Sequence, residues 1–208
     1  GEPITVVLAK ALLNTHFNPK AADLKLEDYK AGDKLVPFKV IAEYKGADLI
    51  GMEYEQLIPW VKPVEVSEDG SWKVSGFRVI PGDYVTTEDG TGIVHIAPTF
   101  GADDANVARV AGIPSLFMIN KKGETRPMVD LTGKFYILDE LDENFVKECV
   151  EVDKYKEYQG AWVKNAYDPQ FMVDGKYDEK AAQAAESLDV ALCMMMKANN
   201  QAFKIEKH

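Results

Sequence analysis

The sequence feature that most constrains this chain is a stretch of glycines and a proline around one short apolar run, at residues 89–104. It reads Asp-Gly-Thr-Gly-Ile-Val-His-Ile-Ala-Pro-Thr-Phe-Gly-Ala-Asp-Asp. The apolar run, residues 93–97, is long enough for a strand and too short for a typical helix. The segment that follows, 101–112, predicts a helix with aspartates in its first turn and a glycine placed to end it. The stretch is therefore predicted to form a glycine loop, a buried strand, a tight turn and a helix.

A histidine inside the apolar run, His95, is the main candidate for chemistry, and it is one of three histidines in the chain. The predicted path of the chain can bring this imidazole and a carboxylate to the opening of one site. Together with Asp103 and Asp104, however, it forms an incomplete set of metal ligands, so no metal site is predicted. Taken alone, the two aspartates are interpreted as charges that complement the helix dipole. A second histidine, His16, is expected on a helix surface.

Other reaction classes have weak support in the sequence. It contains no Gly-x-Ser-x-Gly motif, and neither cysteine is predicted in a loop beside a histidine. The short sequence Gly90-Thr91-Gly92 lacks the length and the lysine of a phosphate-binding loop, and it lacks the full dinucleotide fingerprint. By itself it indicates no more than a tight turn into a strand.

Composition and charge limit the partners. The chain has 208 residues, 46% hydrophobic and 28% charged, which is typical of a globular protein. Its formal net charge of −10 disfavours a protein that holds a long nucleic acid by itself, because such proteins need a basic face. No apolar run is long enough for a membrane span, and the first residues lack a signal-peptide pattern. Since Cys149 and Cys193 are predicted to be buried thiols, a cytoplasmic location is expected.

The remaining patterns predict an α+β fold. Strands are predicted at 4–8 and 34–44, and hairpins at 61–66 with 72–80 and at 115–119 with 123–127. Long helices are predicted at 141–155 and 178–197. Many short strands with three or four helices between them differ from repeating βαβ units. The sequence therefore predicts one β-rich domain, with a β-barrel-like core decorated with helices.

The central stretch resembles the editing domain of isoleucyl-tRNA synthetases, which is also called connective peptide 1 or CP1. The family pattern is Gly-Thr-Gly-Ile-Val-His-x-Ala-Pro-x-x-Gly-x-x-Asp, and residues 90–104 match it through His95, Ala97, Pro98, Gly101 and Asp104. Residues 44–57 are also similar to that family, as are residues 4–8 with the helix after them. The resemblance covers essentially the whole chain.

The resemblance implies an activity and a set of partners. The fold would be the editing-domain type of the valyl, isoleucyl and leucyl enzymes, and the reaction would be hydrolysis of mischarged valyl-tRNA(Ile). The expected partners are the aminoacylated 3′ end of tRNA(Ile), the valine moiety and the rest of the synthetase, with no membrane and a monomeric state. No cofactor is expected in this segment, and ATP would bind in the synthetic domain outside it.

The resemblance also assigns the site. Asp104 would hold the α-ammonium group of the substrate, and His95 would line the side-chain pocket and exclude isoleucine. The residues expected to bind the substrate are Gly90, Thr91, Gly92, Ile93, Val94, Ala97, Pro98 and Gly101.

One departure from the family leaves alternatives open. The threonine-rich peptide Thr-Thr-Pro-Trp-Thr, which forms the opposite wall of the family's pocket, does not occur in this sequence. Residues 1–208 are therefore expected to be a single editing domain, a piece of a larger synthetase without that peptide. The alternatives are a folded but inactive module that binds an aminoacyl-adenosine, and an insert that only shapes a larger protein.

Overall fold

The computed structural model describes residues 3–205, and its backbone falls into two compact units. The first unit comprises the residues up to Tyr54 together with Arg78–Ala97. The second unit comprises Glu55–Phe77 together with the residues from Pro98 onwards.

The first unit is built mainly from extended segments and short helical turns. Its regular elements are the α-helix α1, Leu13–His16, and the 3-10 turns Lys10–Leu12, Pro19–Ala21, Leu26–Asp28 and Gly46–Leu49. The side chains of Leu12 and Ala21 are buried, and the rings of Phe17 and Phe38 lie 5.1 Å apart. Glu53 and Arg78 form an isolated antiparallel bridge in this unit.

The strands predicted for this unit, at 4–8, 34–44 and 93–97, are wrong. These segments are extended, but within residues 3–205 none of them joins a strand ladder. Many of their apolar side chains are exposed; Ile41, for example, is 70% exposed. A β-branched pattern stabilises a strand only when a neighbouring strand pairs with its backbone and covers one face. The side-chain pattern alone does not show whether such a neighbouring strand is present.

The second unit contains the two predicted hairpins. Strands β1, Val64–Val66, and β2, Trp72–Val74, pair antiparallel, and Gly70 turns the chain between them with φ +79°. Strands β3, Met118–Ile119, and β4, Thr125–Arg126, pair antiparallel around a turn that ends at Gly123, where φ is +77°. In both turns glycine occupies a left-handed conformation that other residues rarely adopt. Both hairpins are confirmed, although their strands are shorter than predicted.

A third hairpin was not predicted. Strands β5, Met172–Val173, and β6, Lys176–Tyr177, pair through the dipeptide Asp174-Gly175, whose φ angles are +49° and +74°. Asp-Gly is a strong hairpin signal because both residues tolerate positive φ. The dipeptide was therefore the signal that could have revealed this turn.

The α-helices of the second unit are shorter than predicted. They are α2, Ala102–Val110; α3, Glu143–Cys149; α4, Val152–Tyr155; α5, Glu179–Ala184; and α6, Leu188–Ala198. Short 3-10 turns occur at Leu138–Glu140, Asn165–Tyr167 and Pro169–Phe171. The helix predicted at 101–112 is confirmed as α2, and each of the two long predicted helices is divided in two.

The division between α3 and α4 has a tertiary cause. Val150 forms an antiparallel bridge with Val61, and the flanking N–H groups of Lys62 and Glu151 donate to the carbonyls of Cys149 and Trp60. The backbone here pairs across the unit instead of continuing the helix. Between α5 and α6 the chain is extended, and the Ser187 hydroxyl accepts a hydrogen bond from the amide of Val190 at the start of α6.

The core of the second unit is aromatic. The ring of Trp60 stacks on Tyr158 at 4.2 Å and meets Phe135 edge-on at 6.0 Å. The Tyr155 hydroxyl donates to the Tyr136 carbonyl. The buried cluster consists of Trp60, Val61, Met118, Phe135, Leu141, Phe145, Cys149, Val150 and Tyr155.

The observed fold class is α+β, with small two-stranded sheets and several helices. Residues 3–205 contain no closed barrel, so the predicted barrel-like core is not confirmed. Within the same residues, no helix combines the length and the apolar character needed to cross a membrane. Both cysteines are free thiols; Cys149 is buried as predicted and Cys193 is half-buried.

Candidate functional site

The glycine loop, residues 89–92, lies in the first unit. Gly90 and Gly92 have φ angles of +61° and +76°, which explains glycine at both positions. The Asp89 carboxylate accepts a hydrogen bond of 2.7 Å from the Gly90 amide. The Thr91 hydroxyl donates to the Ile93 carbonyl at 3.2 Å. The loop is thus a tight turn held by its own side chains.

The segment that enters α1 braces this loop. The Ala9 amide donates to the Thr91 carbonyl at 2.7 Å, and Nε2 of His16 lies 2.7 Å from the Gly90 carbonyl oxygen. A Cβ atom on Gly92 would lie only 2.5 Å from the Cβ of Ala9. Glycine at this position is therefore required by the close approach of the two segments as well as by its backbone angle.

The contact of His16 was missed by sequence reasoning. The histidine was expected on a helix surface, whereas it is half-buried against a loop 74 residues later in the chain. Nothing in the local pattern around His16 indicates this partner. The available signal was a histidine in the last turn of a short helix, which is too common to be specific.

His95 lies beyond the glycine loop in an extended, exposed segment of the first unit. The prediction of a buried strand here is wrong, since Ile93 and Val94 are about half exposed and the segment joins no ladder within residues 3–205. Exposure leaves the imidazole accessible to a ligand. It also means that the ring is not held in place by surrounding core side chains.

Asp104 lies in the second unit, in the first turn of α2. Its carboxylate folds back over the start of the helix and lies close to Gly101. A Cβ atom added to Gly101 would be only 2.9 Å from Oδ2 of Asp104. Glycine at the N-cap position therefore makes room for this side chain. Asp104 is half-buried, whereas its neighbour Asp103 is exposed. The two aspartates are thus distinct in environment, and a carboxylate at this end complements the helix dipole.

The predicted site residues are drawn from both units. Residues 90–94, His95 and Ala97 belong to the first unit, while Pro98, Gly101 and Asp104 belong to the second. The structure brings the glycine loop together with Ala9 and His16 in the first unit, and Gly101 together with Asp104 in the second. The assignment of His95 and Asp104 to one site stays a prediction.

Among the described residues of the second unit are cavities that the sequence did not indicate. One, of about 200 Å³, is apolar and lies beside the aromatic core, against Trp60 and Phe135. Another, of about 510 Å³, lies between Tyr158, Asp168 and the start of α6. No predicted site residue lines either cavity. Within residues 3–205, no group of three or more His, Cys, Asp or Glu side chains is placed to hold a metal ion.

Comparison with known proteins gives strong similarity to one kind of enzyme. No family model matches the chain. The whole chain is 95% identical to part of the isoleucine–tRNA ligase of Bacteroides thetaiotaomicron, covering 18% of that protein. It is 73% identical to part of the isoleucine–tRNA ligase of Bacteroides fragilis, and 51% to that of Porphyromonas gingivalis, in each case over the whole chain and 17% of the relative.

The chain thus spans less than a fifth of the length of these relatives. It is homologous over its full length to a segment of them, and the resemblance to isoleucyl-tRNA synthetases is confirmed at this level. The assignment of that segment to the editing domain stays a prediction.

Proposed function

We propose that this chain is a segment of an isoleucine–tRNA ligase, an ATP-dependent class I aminoacyl-tRNA synthetase, and that it hydrolyses the ester of mischarged valyl-tRNA(Ile). The observation that carries the first part is the 95% identity to such a ligase over the whole chain. The second part is supported by the motif at residues 90–104, which resembles the editing domain of that family.

A separate hydrolytic site answers a physical limit on selection. A pocket built for isoleucine rejects valine weakly, since one methylene is worth roughly 1–3 kcal/mol, a limit for which this pair of amino acids is the familiar example. A second site that admits valine and excludes isoleucine by size removes the errors. Valine differs from isoleucine only in bulk, so that second site has to select by size.

Asp104 is proposed to bind the α-ammonium group of the valyl ester by a charge-assisted hydrogen bond. Its position in the first turn of α2, folded back over Gly101, keeps the carboxylate at the helix end. Binding the ammonium group orients the ester carbonyl for attack. Asp103 is exposed in the same turn and serves as a natural comparison.

His95 is proposed to line the pocket for the aliphatic side chain and to exclude the larger isoleucine. The glycine loop is proposed to let the terminal adenosine approach the backbone, because Gly90 and Gly92 carry no side chain. The net charge of −10 implies that the rest of the ligase holds most of the tRNA.

The proposed reaction is attack by a positioned water on the ester carbonyl carbon. The bond between that carbon and the ribose oxygen breaks, the ribose oxygen takes a proton, and free valine and tRNA are released. An aminoacyl ester is already activated, so positioning alone supplies much of the rate. The segment therefore needs no cofactor, and ATP serves the synthetic domain of the ligase.

The test measures deacylation of valyl-tRNA(Ile) by the 208-residue chain and by the intact ligase that contains it. In Asp104→Ala the rate should fall by roughly tenfold to a hundredfold, the effect of one lost charge-assisted bond, while Asp103→Ala should keep the parent rate. In His95→Ala, hydrolysis of isoleucyl-tRNA(Ile) should appear. Absence of deacylation from both parent proteins refutes the proposed hydrolysis.

A titration separates the alternatives if hydrolysis is absent. A non-hydrolysable valyl-adenosine is added to the chain while amide chemical shifts are followed. Shifts around His95 without hydrolysis would indicate the inactive binding module. If no amide chemical shift changes on addition of valyl-adenosine, the remaining alternative is an insert that only shapes the larger protein.

A further inference from the structure

We infer that His16 is a positioning residue, which fixes the glycine loop so that the backbone amides of Thr91 and Gly92 are offered to the terminal adenosine. The inference rests on the proposed function. His16 lies outside the central motif, and both His16 and the glycine loop belong to the first unit.

The contact requires a proton on one particular ring nitrogen of His16. A carbonyl oxygen can only accept, so Nε2 of His16, at 2.7 Å from the Gly90 oxygen, carries the proton. Both the neutral Nε2–H tautomer and the imidazolium ion satisfy this. The His16 side chain is half-buried, and the Gly90 carbonyl that it contacts lies at an exposed position of the loop.

Two successive carbonyls of the loop are held from the same segment. The Gly90 carbonyl is held by His16, and the Thr91 carbonyl accepts from the Ala9 amide at 2.7 Å. A trans peptide unit is planar, with its N–H directed opposite to its C=O. The N–H groups of Thr91 and Gly92 are therefore turned away from the bracing segment.

These two adjacent amides form a small donor pair. Successive backbone N–H groups in a turn attract oxygen acceptors, and a ribose or a phosphate supplies such oxygens. The positive φ angles of Gly90 and Gly92 allow the turn. The hydrogen bond from His16 to the Gly90 carbonyl stabilises one orientation of the peptide between Gly90 and Thr91. In that orientation the Thr91 N–H is turned towards the ligand.

The variants separate the hydrogen bond from the bulk of the ring. His16→Phe keeps a ring of similar size without a donor, whereas His16→Gln places an amide N–H near the position of Nε2. Asn14→Ala, at an exposed position of the same helix, is the matched control. The parent protein and the three variants are prepared as the full 208-residue chain.

Two measurements are made on each protein. The first is the amide chemical shifts of Thr91 and Gly92 without ligand. The second is the dissociation constant of non-hydrolysable valyl-adenosine, together with KM and kcat for valyl-tRNA(Ile). His16→Phe should move both amide shifts and weaken binding by roughly fivefold to tenfold, the effect of one hydrogen bond, with KM raised and kcat nearly unchanged. His16→Gln should restore most of the affinity, and Asn14→Ala should match the parent protein.

The outcomes distinguish this inference from the proposed function. If the parent protein neither binds valyl-adenosine nor deacylates valyl-tRNA(Ile), the proposed function fails and the role of His16 fails with it. If the parent binds, and His16→Phe binds equally well or His16→Gln restores nothing, only the role of His16 is overturned.

Discussion

The replacement of Gly92 by alanine tests the geometry of the glycine loop directly. The new Cβ atom would lie 2.5 Å from the Cβ of Ala9, well inside contact distance, and alanine would have to adopt a φ angle of +76°. Gly90→Ala is the matched control, because φ is +61° there but no atom lies within 4 Å of the added Cβ. The two variants share the backbone cost and differ in the steric cost.

The expected magnitudes follow from these two costs. A left-handed backbone costs a non-glycine residue about 1–2 kcal/mol, and an overpacked contact adds about 1–3 kcal/mol. Gly90→Ala should therefore lower the local stability by about 1–2 kcal/mol, and Gly92→Ala by about 2–5 kcal/mol. Ala9→Gly in the Gly92→Ala background removes the clashing atom, so it should recover the steric part and leave the backbone part.

Hydrogen exchange of the Ala9 amide is the appropriate assay, because this amide donates to the Thr91 carbonyl and its exchange reports opening of the loop. Global unfolding is a less suitable measure, since the chain divides into two compact units. Equal changes in the opening free energy for Gly90→Ala and Gly92→Ala would show that the contact with Ala9 carries no steric cost. Failure of Ala9→Gly to recover any stability in Gly92→Ala would show the same.

Three further predictions concern the second unit. Asp142→Ala should lower the free energy of unfolding in urea by about 1 kcal/mol, because it removes the N-cap of α3, and Asp142→Asn should keep most of that stability. Burial raises the pKa of the Cys149 thiol to about 11, so iodoacetamide near pH 8 should modify Cys193 first; equal labelling by peptide mass spectrometry would contradict this. Burial also raises the pKa of Tyr155 above its ordinary value of 10.0, so the unfolded state loses this proton first and stability should fall as the pH rises above 10.0. Urea midpoints measured below and above that pH should show this fall in stability. Tyr155→Phe should make the fall smaller, and at neutral pH it should lower the free energy of unfolding by about 1–3 kcal/mol.

Features that depend on neighbouring residues could be predicted from the sequence. The turn glycines Gly70 and Gly123 indicated both hairpins because a positive φ angle favours glycine wherever it occurs. Asp142 indicated the start of α3, since its side chain caps the amide of Phe145 only three residues away. Helix α2 was likewise defined by its own first turn and by Gly112, which has φ +65° just after its end.

Features that depend on distant residues could not be predicted. The helix expected at 141–155 is interrupted at Val150 by a bridge to Val61, and no local pattern specifies that partner. The extended segments of the first unit have the side-chain pattern of strands, but strand formation depends on pairing that the pattern does not encode.

The candidate site shows the same division. The motif at residues 90–104 located His95, Asp104 and the glycine loop, and the start of α2 agrees with its prediction. The exposure of His95 was not predicted, because a short apolar run indicates burial without stating what would cover it. The contact of His16 with Gly90 joins residues 74 apart, which only the tertiary structure reveals.

The bridge between Val61 and Val150 has a consequence for biosynthesis. Because roughly 90 residues separate the two partners, a ribosome adding about 5–20 residues per second makes the second valine roughly 4–18 s after the first. During that interval Val61 and the neighbouring Trp60 have been translated without their later partners, which are Val150 for Val61 and the rings of Tyr155 and Tyr158 for Trp60. Nascent chains of this protein should therefore be clients for chaperones that recognise apolar segments, and a translational pause before Val150 should prolong that dependence.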